Sequence, residues 1–356
     1  MTTINTSSSV NTICMICDTP NSKSAMLCRE CSAPLSLVRE AISQEREPQV
    51  VSVVGESNVG KTVYLGFLLD MLSQQANDFE AIPKGAYSID VQQTVISHMA
   101  HRMFPPKTAM EPDQWYWAYY QVRKRAIANK WIDLVMPDMA GESLAAEMAS
   151  PKTFRVISNL VSKSSGAVLL VDAGLAANGS SRPDFFALKM MSYIDSMNGL
   201  RHDQKIKTPI AIVLAKSDYC PECFDNPREF VRANLNRLWN MCISRFENVE
   251  YFACSVVGSL GYATPAVSRP KPQPAASILK KATQEDAEQD EGVLSEWERR
   301  FAVNGASKSS RSEMVEAEPR PHPEWDQGGQ DLVVPVPLHT ALQGVLEPFE
   351  WILEQI

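Results

Sequence analysis

The stretch VVSVVGESNVGKT, residues 50–62, decides the fold of this chain. Its first half, VVSVVG, is a nearly continuous apolar run, which is typical of a strand buried on both faces. Its second half, GESNVGKT, matches the pattern G-x-x-x-x-G-K-[ST], in which backbone N–H groups cradle phosphate oxygens at the start of a helix. The sequence therefore predicts a strand, a phosphate loop and a helix beginning at Lys61.

Each position of this loop has an expected task. The glycines let the backbone bend so that successive N–H groups point at phosphate oxygens. Lys61 is predicted to reach the β- and γ-phosphates, and the Thr62 hydroxyl is predicted to ligate Mg²⁺. The predicted nucleotide-binding residues of the loop are Gly55, Glu56, Ser57, Asn58, Val59, Gly60, Lys61 and Thr62.

Strand patterns alternate with helical patterns on both sides of the loop. Residues 114–122 (QWYWAYYQV) and 130–138 (KWIDLVMPD) read as neighbouring strands, and three further apolar runs read as strands: 166–174, 209–216 and 249–258. Residues 185–197 and 230–246 read as helices between them. This alternation predicts a doubly wound α/β domain with a largely parallel sheet.

Composition excludes several classes of protein. The chain has 356 residues and a net charge of −8, which argues against nucleic-acid binding through bulk electrostatics. No apolar run is long enough for a membrane helix, and the N-terminus lacks the pattern of a secretory signal. Most of the eight cysteines fall in CxxC pairs, which favours reduced thiols, bound metal and a cytoplasmic location over disulfides.

Two CxxC knuckles near the N-terminus predict a small zinc ribbon. Its ligands would be Cys14, Cys17, Cys28 and Cys31. Four thiolates suit tetrahedral Zn²⁺, and metal binding would supply the folding energy that so short a segment cannot obtain from a core. An iron–sulfur site or a redox pair is the alternative. The ribbon has no basic stripe or aromatic platform, so contact with a protein is favoured.

A third CxxC, formed by Cys220 and Cys223, raises the possibility of a second metal site. Cys242 and Cys254 are the cysteines that could complete it. Because the first lies in an apolar helical pattern and the second in a strand pattern, ordinary burial explains both better.

Three further motifs follow the phosphate loop, each at the end of a predicted strand. They are Asp138-Met139-Ala140-Gly141-Glu142, then Ala215-Lys216-Ser217-Asp218, then Cys254-Ser255-Val256. In this order they resemble the translation-factor and Ras-like class of GTPases, over residues 48–260 and the C-terminal helix. The cysteine-bearing N-terminus and a long insertion resemble the bacterial double-GTPase families within that class.

The resemblance implies a role for each motif. Asp138 would hold Mg²⁺ through water, and the Gly141 N–H would contact the γ-phosphate. The Lys216 stem would lie against the base, and Asp218 would accept two hydrogen bonds from guanine, a donor pair that adenine lacks. Backbone N–H groups at Ser255 and Val256 would face guanine O6.

The class also needs a threonine that ligates Mg²⁺ from a mobile loop upstream of the D-x-x-G motif. Thr108 is the preferred candidate, because the alternative, Thr94, lies in a helical pattern. The implied reaction is in-line attack of water on the γ-phosphate, with Lys61, Gly141 and Glu142 as the catalytic residues.

The chain departs from the family pattern at three places. Ala215 replaces the usual Asn, which predicts weaker binding with guanine preference retained. Glu142 replaces a catalytic Gln and cannot donate a hydrogen bond while ionised, which predicts slow turnover. The third departure is the long insertion before the last helix.

A catalytic arginine is not obvious in the sequence. Arg102 is a weak candidate, so an arginine supplied by a partner is expected.

The boundaries follow from these patterns and from composition. The prediction is a disordered N-terminus (1–12), a zinc ribbon (13–34), a linker or short helix (35–47), a P-loop GTPase domain (48–261), a disordered acidic and Pro-rich insertion (262–331) and a C-terminal helix packing back on the GTPase domain (332–356).

The leading hypothesis is a cytoplasmic GTP-binding switch that hydrolyses GTP slowly and is regulated by a protein partner. The resemblance implies a second GTPase or an effector encoded nearby, in a bacterial conflict or defence system. The expected cofactors are GTP or GDP, Mg²⁺ and Zn²⁺. A non-hydrolysing pseudo-GTPase adaptor is the first alternative, and a P-loop ATPase is the second.

Overall fold

The strand predicted at the start of the phosphate loop is β3 (Gln49–Gly55), and it lies at the centre of the main sheet. The computed structural model describes residues 12–44, 48–74, 78–101, 103–125, 131–201, 203–256 and 342–356. All of these belong to one unit, and a second unit, Thr264–Asp326, lies outside them. The predicted disordered segments, Thr12 excepted, and the candidate Arg102 also lie outside the described residues.

The main sheet of the described chain has seven strands in the order β4-β5-β6-β3-β7-β8-β9. The strand bounds are β3 Gln49–Gly55, β4 Phe79–Pro83, β5 Trp117–Lys124, β6 Ile132–Pro137, β7 Ser164–Asp172, β8 Ile210–Ala215 and β9 Val249–Cys254. The pairings from β6 to β9 are parallel, and β4 and β5 join through antiparallel pairings. The predicted α/β class with a mostly parallel sheet is confirmed.

Helices cover both faces of this sheet. Their bounds are α1 Leu35–Gln44, α2 Lys61–Ser73, α3 Asp90–Ala100, α4 Gly141–Ala149, α5 Arg155–Lys163, α6 Ala173–Ala177, α7 Arg182–Asn198, α8 Glu222–Asp225, α9 Pro227–Asn234, α10 Asn236–Arg245 and α11 Glu347–Gln355. Side chains of β3 alternate between two cores, because successive residues of a strand point to opposite faces. Val51 and Val53 join the core that includes α2, α3 and α11, and Val50 and Val54 join the core that includes α1, α5 and α7.

The helix predicted over residues 230–246 is wrong as a single element. It is interrupted at Leu235, whose φ of −128° and ψ of 55° are not helical. The buried carboxylate of Asp184, in α7, accepts hydrogen bonds from the backbone N–H groups of Arg237 (3.3 Å) and Leu238 (2.9 Å) and so caps the start of α10. A side chain 53 positions away in sequence therefore caps the start of the second helix.

The N-terminal cysteine segment is a small module on the α5 side of the sheet. Two short strands, β1 (Thr12–Ile13) and β2 (Pro20–Asn21), pair antiparallel, and α1 follows. The Lys163 ammonium, at the end of α5, donates to the Asp18 carboxylate at 2.7 and 2.8 Å and to the Met15 carbonyl at 3.0 Å. Arg155, at the start of α5, pairs with Glu30. The module is thus tied to both ends of one helix.

The described helices are all too short or too polar to cross a membrane.

Candidate functional site

The phosphate loop joins β3 to α2 as predicted, and its backbone is bent at two residues. Gly60 has a φ of 103° and Asn58 a φ of 64°, both in the left-handed region that glycine and asparagine tolerate best. The Lys61 ammonium donates to the carbonyls of Gly55 (3.1 Å) and Glu56 (2.9 Å) and is almost fully buried. Burial lowers the pKa of Lys61 to about 8, although the carboxylates of Asp138, Glu142 and Glu56 oppose that shift.

Three side chains from separate segments meet beside Lys61. The Thr62 hydroxyl lies 2.9 Å from the Thr108 hydroxyl and donates to Asp138 Oδ2 at 2.9 Å. The Thr108 hydroxyl donates to the same oxygen at 2.8 Å. Burial raises the pKa of Asp138, against hydrogen bonds from both threonines and the charge of Lys61. This hard oxygen cluster has the donor chemistry that Mg²⁺ prefers.

Of the two candidate threonines, the structure brings Thr108 to this cluster. Thr94 lies on α3, where its hydroxyl donates to the Tyr116 hydroxyl at 3.4 Å. The loop that carries Thr108 is fixed downstream by the buried Trp115, whose indole N–H donates to the Ala109 carbonyl at 2.9 Å. The Ser143 hydroxyl, in α4, donates to the Met110 carbonyl at 2.8 Å. The Thr108 loop is therefore joined to the helix that follows Asp138.

Gly141 and Glu142 lie directly against the phosphate loop. A Cβ added to Gly141 would lie 2.4 Å from the Ser57 nitrogen, so this close approach requires glycine. The Ser57 hydroxyl donates to Glu142 Oε1 at 2.5 Å, and the Lys107 ammonium lies 3.6 Å from the same oxygen. Burial alone would raise the pKa of Glu142, but this hydrogen bond and the charges of Lys107 and Lys61 outweigh burial and lower it. Glu142 is therefore ionised at neutral pH and can only accept hydrogen bonds.

The carboxylate within the phosphate loop itself, that of Glu56, has a partner that sequence reasoning missed. Arg182, the first residue of α7, donates from Nε to Glu56 Oε1 at 2.5 Å. The Arg182 side chain is 66% exposed and the Glu56 side chain 19% exposed. Because 126 positions separate them in the sequence, no local pattern could have found this pair.

The base-reading residues converge at the carboxyl ends of β8 and β9. Asp218 Oδ1 accepts a hydrogen bond from the Ser255 hydroxyl at 3.0 Å. Asp218 Oδ2 is buried and has no partner among the described residues. A ligand with a second hydrogen-bond donor would satisfy it, and the guanine edge offers such a donor pair.

The loops around Asp218 are joined by contacts that do not involve Ala215. Lys216 has a φ of 59°, and its ammonium donates to Asp172 Oδ2, at the end of β7, at 2.6 Å. The Ser255 N–H donates to the Gln343 carbonyl at 3.0 Å, so it is already engaged. The Val256 N–H makes no hydrogen bond within the described chain and is the remaining candidate for guanine O6.

The four N-terminal cysteines form a preorganised cluster. All four sulfurs lie within 4.8 Å of one another. The two knuckles share one backbone pattern: the Asp18 N–H donates to the Cys14 carbonyl and the Ser32 N–H to the Cys28 carbonyl, each at 2.9 Å. Asp18 and Ser32 have φ values of 58° and 59°. The arrangement is compatible with a tetrahedral zinc site.

The third CxxC, unlike the N-terminal pair of CxxC motifs, is not joined by further potential metal ligands within the described chain. The sulfurs of Cys220 and Cys223 lie 2.7 Å apart and are buried. Within the described chain, the N-terminal four are the only group of three or more potential metal ligands that come together. The described part of the structure therefore gives no support to the second metal site that sequence spacing left open.

The fold and the site together define a P-loop GTPase domain, with a phosphate loop, an Asp138 motif and an Asp218 motif at one edge of a mostly parallel sheet. Residues 52–192 match the family model described as Double-GTPase 1. The match agrees with the resemblance to double GTPases that the sequence motifs carry, and it supports GTP binding. No curated protein sequence matches the chain.

Three solved structures of GTP-binding proteins are similar at low identity. Roco2 RocCORdC of Methanosarcina barkeri, bound to GDP, is 18% identical, with 59% of this chain and 44% of that chain covered and a TM-score of 0.28. The GTP-bound Ski7 GTPase-like domain of S. cerevisiae is 16% identical, with 61% and 44% covered and a TM-score of 0.34. A GTP-binding protein of Sulfolobus solfataricus, in complex with GDP, is 13% identical, with 62% and 51% covered and a TM-score of 0.28. The chain spans about half the length of these proteins.

Proposed function

We propose that this chain binds GTP, hydrolyses it slowly and acts as a regulatory switch for a protein partner. The observation that carries the proposal is the meeting of Thr62, Thr108 and Asp138 beside Lys61. A protein that only bound a phosphate would need the phosphate loop alone. The convergence of two further segments on Thr62 supports a site for a nucleoside triphosphate with its metal.

Each residue around this point would bind a different part of the nucleotide and its metal. The Thr62 and Thr108 hydroxyls, with Asp138 through water, would hold Mg²⁺, which would neutralise charge on the β- and γ-phosphates. Lys61 would exchange the carbonyls of Gly55 and Glu56 for phosphate oxygens. The close contact of Gly141 with Ser57 would open to admit the γ-phosphate, which links the occupancy of the site to the position of α4.

Hydrolysis would be slow because of Glu142. Water attacks the γ-phosphorus, the bond to the β-phosphate oxygen breaks, and GDP, phosphate and a proton result. As a carboxylate, Glu142 can accept a hydrogen bond from the attacking water, but it cannot donate one to the transferring phosphoryl group. It must also leave Ser57 and Lys107 to reach the water.

Guanine selectivity would rest on Asp218. Its unpartnered Oδ2 and the Ser255-bonded Oδ1 form a buried carboxylate with spare acceptor capacity. Guanine N1–H and the 2-amino group would fill that capacity, whereas adenine has no matching donor pair. A buried acceptor left unpaired is costly, so the complex with adenine is disfavoured.

The N-terminal module would be a zinc ribbon that contacts a protein partner. Cys14, Cys17, Cys28 and Cys31 supply the thiolates, and the ribbon leaves apolar side chains exposed at Ile13, Met26 and Leu27. The partner would be a second GTPase or an effector encoded nearby, and the reduced CxxC thiols fit a cytoplasmic setting. Metal analysis of the purified protein should find one zinc per chain, and phosphate release should rise when the partner is added.

A non-hydrolysing pseudo-GTPase is the second candidate. The contact between Ser57 and Glu142 favours it, because Glu142 is engaged within the protein rather than directed at a bound water. Measured hydrolysis separates the two candidates.

The test begins by denaturing the purified protein and identifying any nucleotide it releases. Phosphate release from GTP and from ATP is then measured with Mg²⁺ for the wild type, for Asp138→Ala and for the matched control Asp203→Ala, which changes an exposed aspartate. Slow release from GTP that is lost in Asp138→Ala and kept in the control supports the switch. GTP binding without release supports the pseudo-GTPase, and preference for ATP contradicts both.

A further inference from the structure

The phosphate loop is flanked by two carboxylates, and each is held by an exposed cation. Glu142 faces Lys107, and Glu56 faces Arg182. The contact between Arg182 and Glu56 is shorter than that between Lys107 and Glu142, and Arg182 donates to Glu56 through Nε only. The two Nη groups of Arg182 donate to no other residue within the described chain. A forked donor with two open positions therefore lies against the loop expected to cradle the phosphates.

Once nucleotide binds, a contact between Arg182 and a phosphate is electrostatically more favourable than the pair of Arg182 with Glu56. A triphosphate brings several negative charges to a loop that already carries Glu56, one of the carboxylates whose charge acts on Lys61. Arginine binds phosphate with two parallel hydrogen bonds and keeps its charge at any accessible pH. The arginine side of the pair is exposed to solvent, which screens its charge, so Arg182 can exchange Glu56 for a phosphate oxygen.

We propose that Arg182 is this chain's own phosphate-binding arginine: Glu56 holds it beside the phosphate loop, and in the GTP complex it binds the γ-phosphate. The inference rests on the proposed GTP function and deepens it. Arg182 supplies a donor to the γ-phosphate, and the slow hydrolysis proposed above is the rate with Arg182 in place, because Glu142 still has to leave Ser57 and Lys107 to reach the water. Basal hydrolysis therefore does not depend on an arginine from a partner.

If Arg182 binds phosphate, substitutions of Arg182 and of Glu56 have different expected effects, although the two residues form one ion pair. If the pair were only a structural latch for the loop, removing either member would have the same effect. If Arg182 binds the γ-phosphate, removing it lowers GTP affinity without lowering GDP affinity, because GDP lacks that group. Neutralising Glu56 then removes the residue that competes for Arg182 and has the opposite effect.

The experiment measures GTP and GDP affinities and single-turnover hydrolysis on the full chain with Mg²⁺. Arg182→Ala should lower the ratio of GTP to GDP affinity about tenfold and the hydrolysis rate by at least about 100-fold, since such arginines contribute roughly 10³–10⁵ in rate. Arg182→Lys should recover little, because an ammonium is not a fork. Glu56→Gln should raise the affinity ratio. Arg155→Ala, which breaks a comparable exposed pair with Glu30, is the control and should match the wild type.

Three results would overturn the inference. If the wild type binds GTP and Arg182→Ala keeps the same affinity ratio and hydrolysis rate, Arg182 does not bind the γ-phosphate. The proposed function then still stands. Equal losses in Arg182→Ala and Glu56→Gln indicate the latch instead. A wild type that binds no guanine nucleotide overturns both the inference and the proposed function.

Discussion

The two ends of the nucleotide site differ in how their polar groups are satisfied. At the phosphate end, each functional group has a partner within the protein: Lys61 has two carbonyls, Asp138 has two threonines and Glu142 has Ser57. At the base end, Asp218 keeps one buried oxygen without a partner among the described residues. Ala215 adds no polar group there.

This difference assigns different tasks to the two ends. Phosphates must displace partners that are already present, so the gain at that end depends on charge and geometry. The base fills an acceptor that is otherwise unsatisfied, and an unsatisfied buried acceptor is expensive. Affinity should therefore come mainly from the phosphate end and discrimination from the base end.

The largest expected effect is that of Lys61→Met on GTP affinity. Removing one partner of a buried charge pair costs about 3–5 kcal/mol, so the affinity for GTP should fall by roughly two to four orders of magnitude. The free protein should not lose stability, because burial penalises the Lys61 charge. Isothermal titration and thermal unfolding measure the two quantities. A destabilised variant would mean that Lys61 acts mainly as a structural residue.

Asp218→Asn should act on selectivity more than on overall binding. The variant loses the charged acceptor pair, so the preference for GTP over ATP should fall about 100-fold, in line with hydrogen bonds to charged groups. Competition between GTP and ATP for a fluorescent guanine nucleotide measures the preference. Asp225→Asn changes an exposed aspartate seven positions further along and should leave it unchanged. An unchanged preference in Asp218→Asn would assign discrimination to another residue.

The fold, and the convergence of the motif residues at one edge of the sheet, were predictable for one physical reason. Each motif follows an apolar run, and the carboxyl ends of parallel strands meet at one edge of a sheet. That rule brings Thr62, Asp138 and Asp218 to the same edge. Thr108 was preferred over Thr94 because a helical pattern removed the competitor, and the structure places Thr108 against Asp138.

The missed features depend on contacts between distant segments. Asp184 interrupts a helix that periodicity alone would continue, and Arg182 reaches Glu56 across 126 positions. Lys107 stands next to Thr108, yet its proximity to Glu142 depends on how the loop folds over α4. Neither hydrophobic periodicity nor motif spacing encodes such pairs.

The pKa of Lys61 makes the phosphate end sensitive to pH. The phosphates bind the charged lysine, and in the free protein its pKa is about 8. Above that pH the free protein must take up a proton to bind, so the affinity for GTP should fall about tenfold between pH 8 and pH 9 or slightly above. Lys61→Arg stays charged and shares any pH dependence of the nucleotide, so it is the control. Equal slopes in the two proteins would contradict the prediction.

The same shift has a consequence for stability, and its sign is opposite to that for binding. The folded pKa lies below the unfolded value, so the unfolded chain holds more protons between about pH 8 and 10.5. The penalty from the buried charge is therefore fully present below about pH 8 and is relieved as the pH rises through this range. Urea unfolding at pH 7.5 and pH 9.5 should show a wild type that gains stability relative to Lys61→Met.

Ala215→Asn, at the base end, is expected to have the smallest effect, a gain in the affinity for GTP. Ala215 is 6% exposed and pairs in register with Asp172 and Cys254, so an amide placed here lies between the two neighbouring strand ends. The Asp172 carboxylate is already engaged by Lys216 and by the Leu175 N–H, so few acceptors remain for a new side chain. One added hydrogen bond contributes about 1 kcal/mol, so the affinity for GTP should rise about fivefold, with the preference over ATP unchanged. Titration of Ala215→Asn and, as a size control, Ala215→Leu checks this. A loss of affinity in both variants would contradict the prediction and would show that the base needs the space at Ala215.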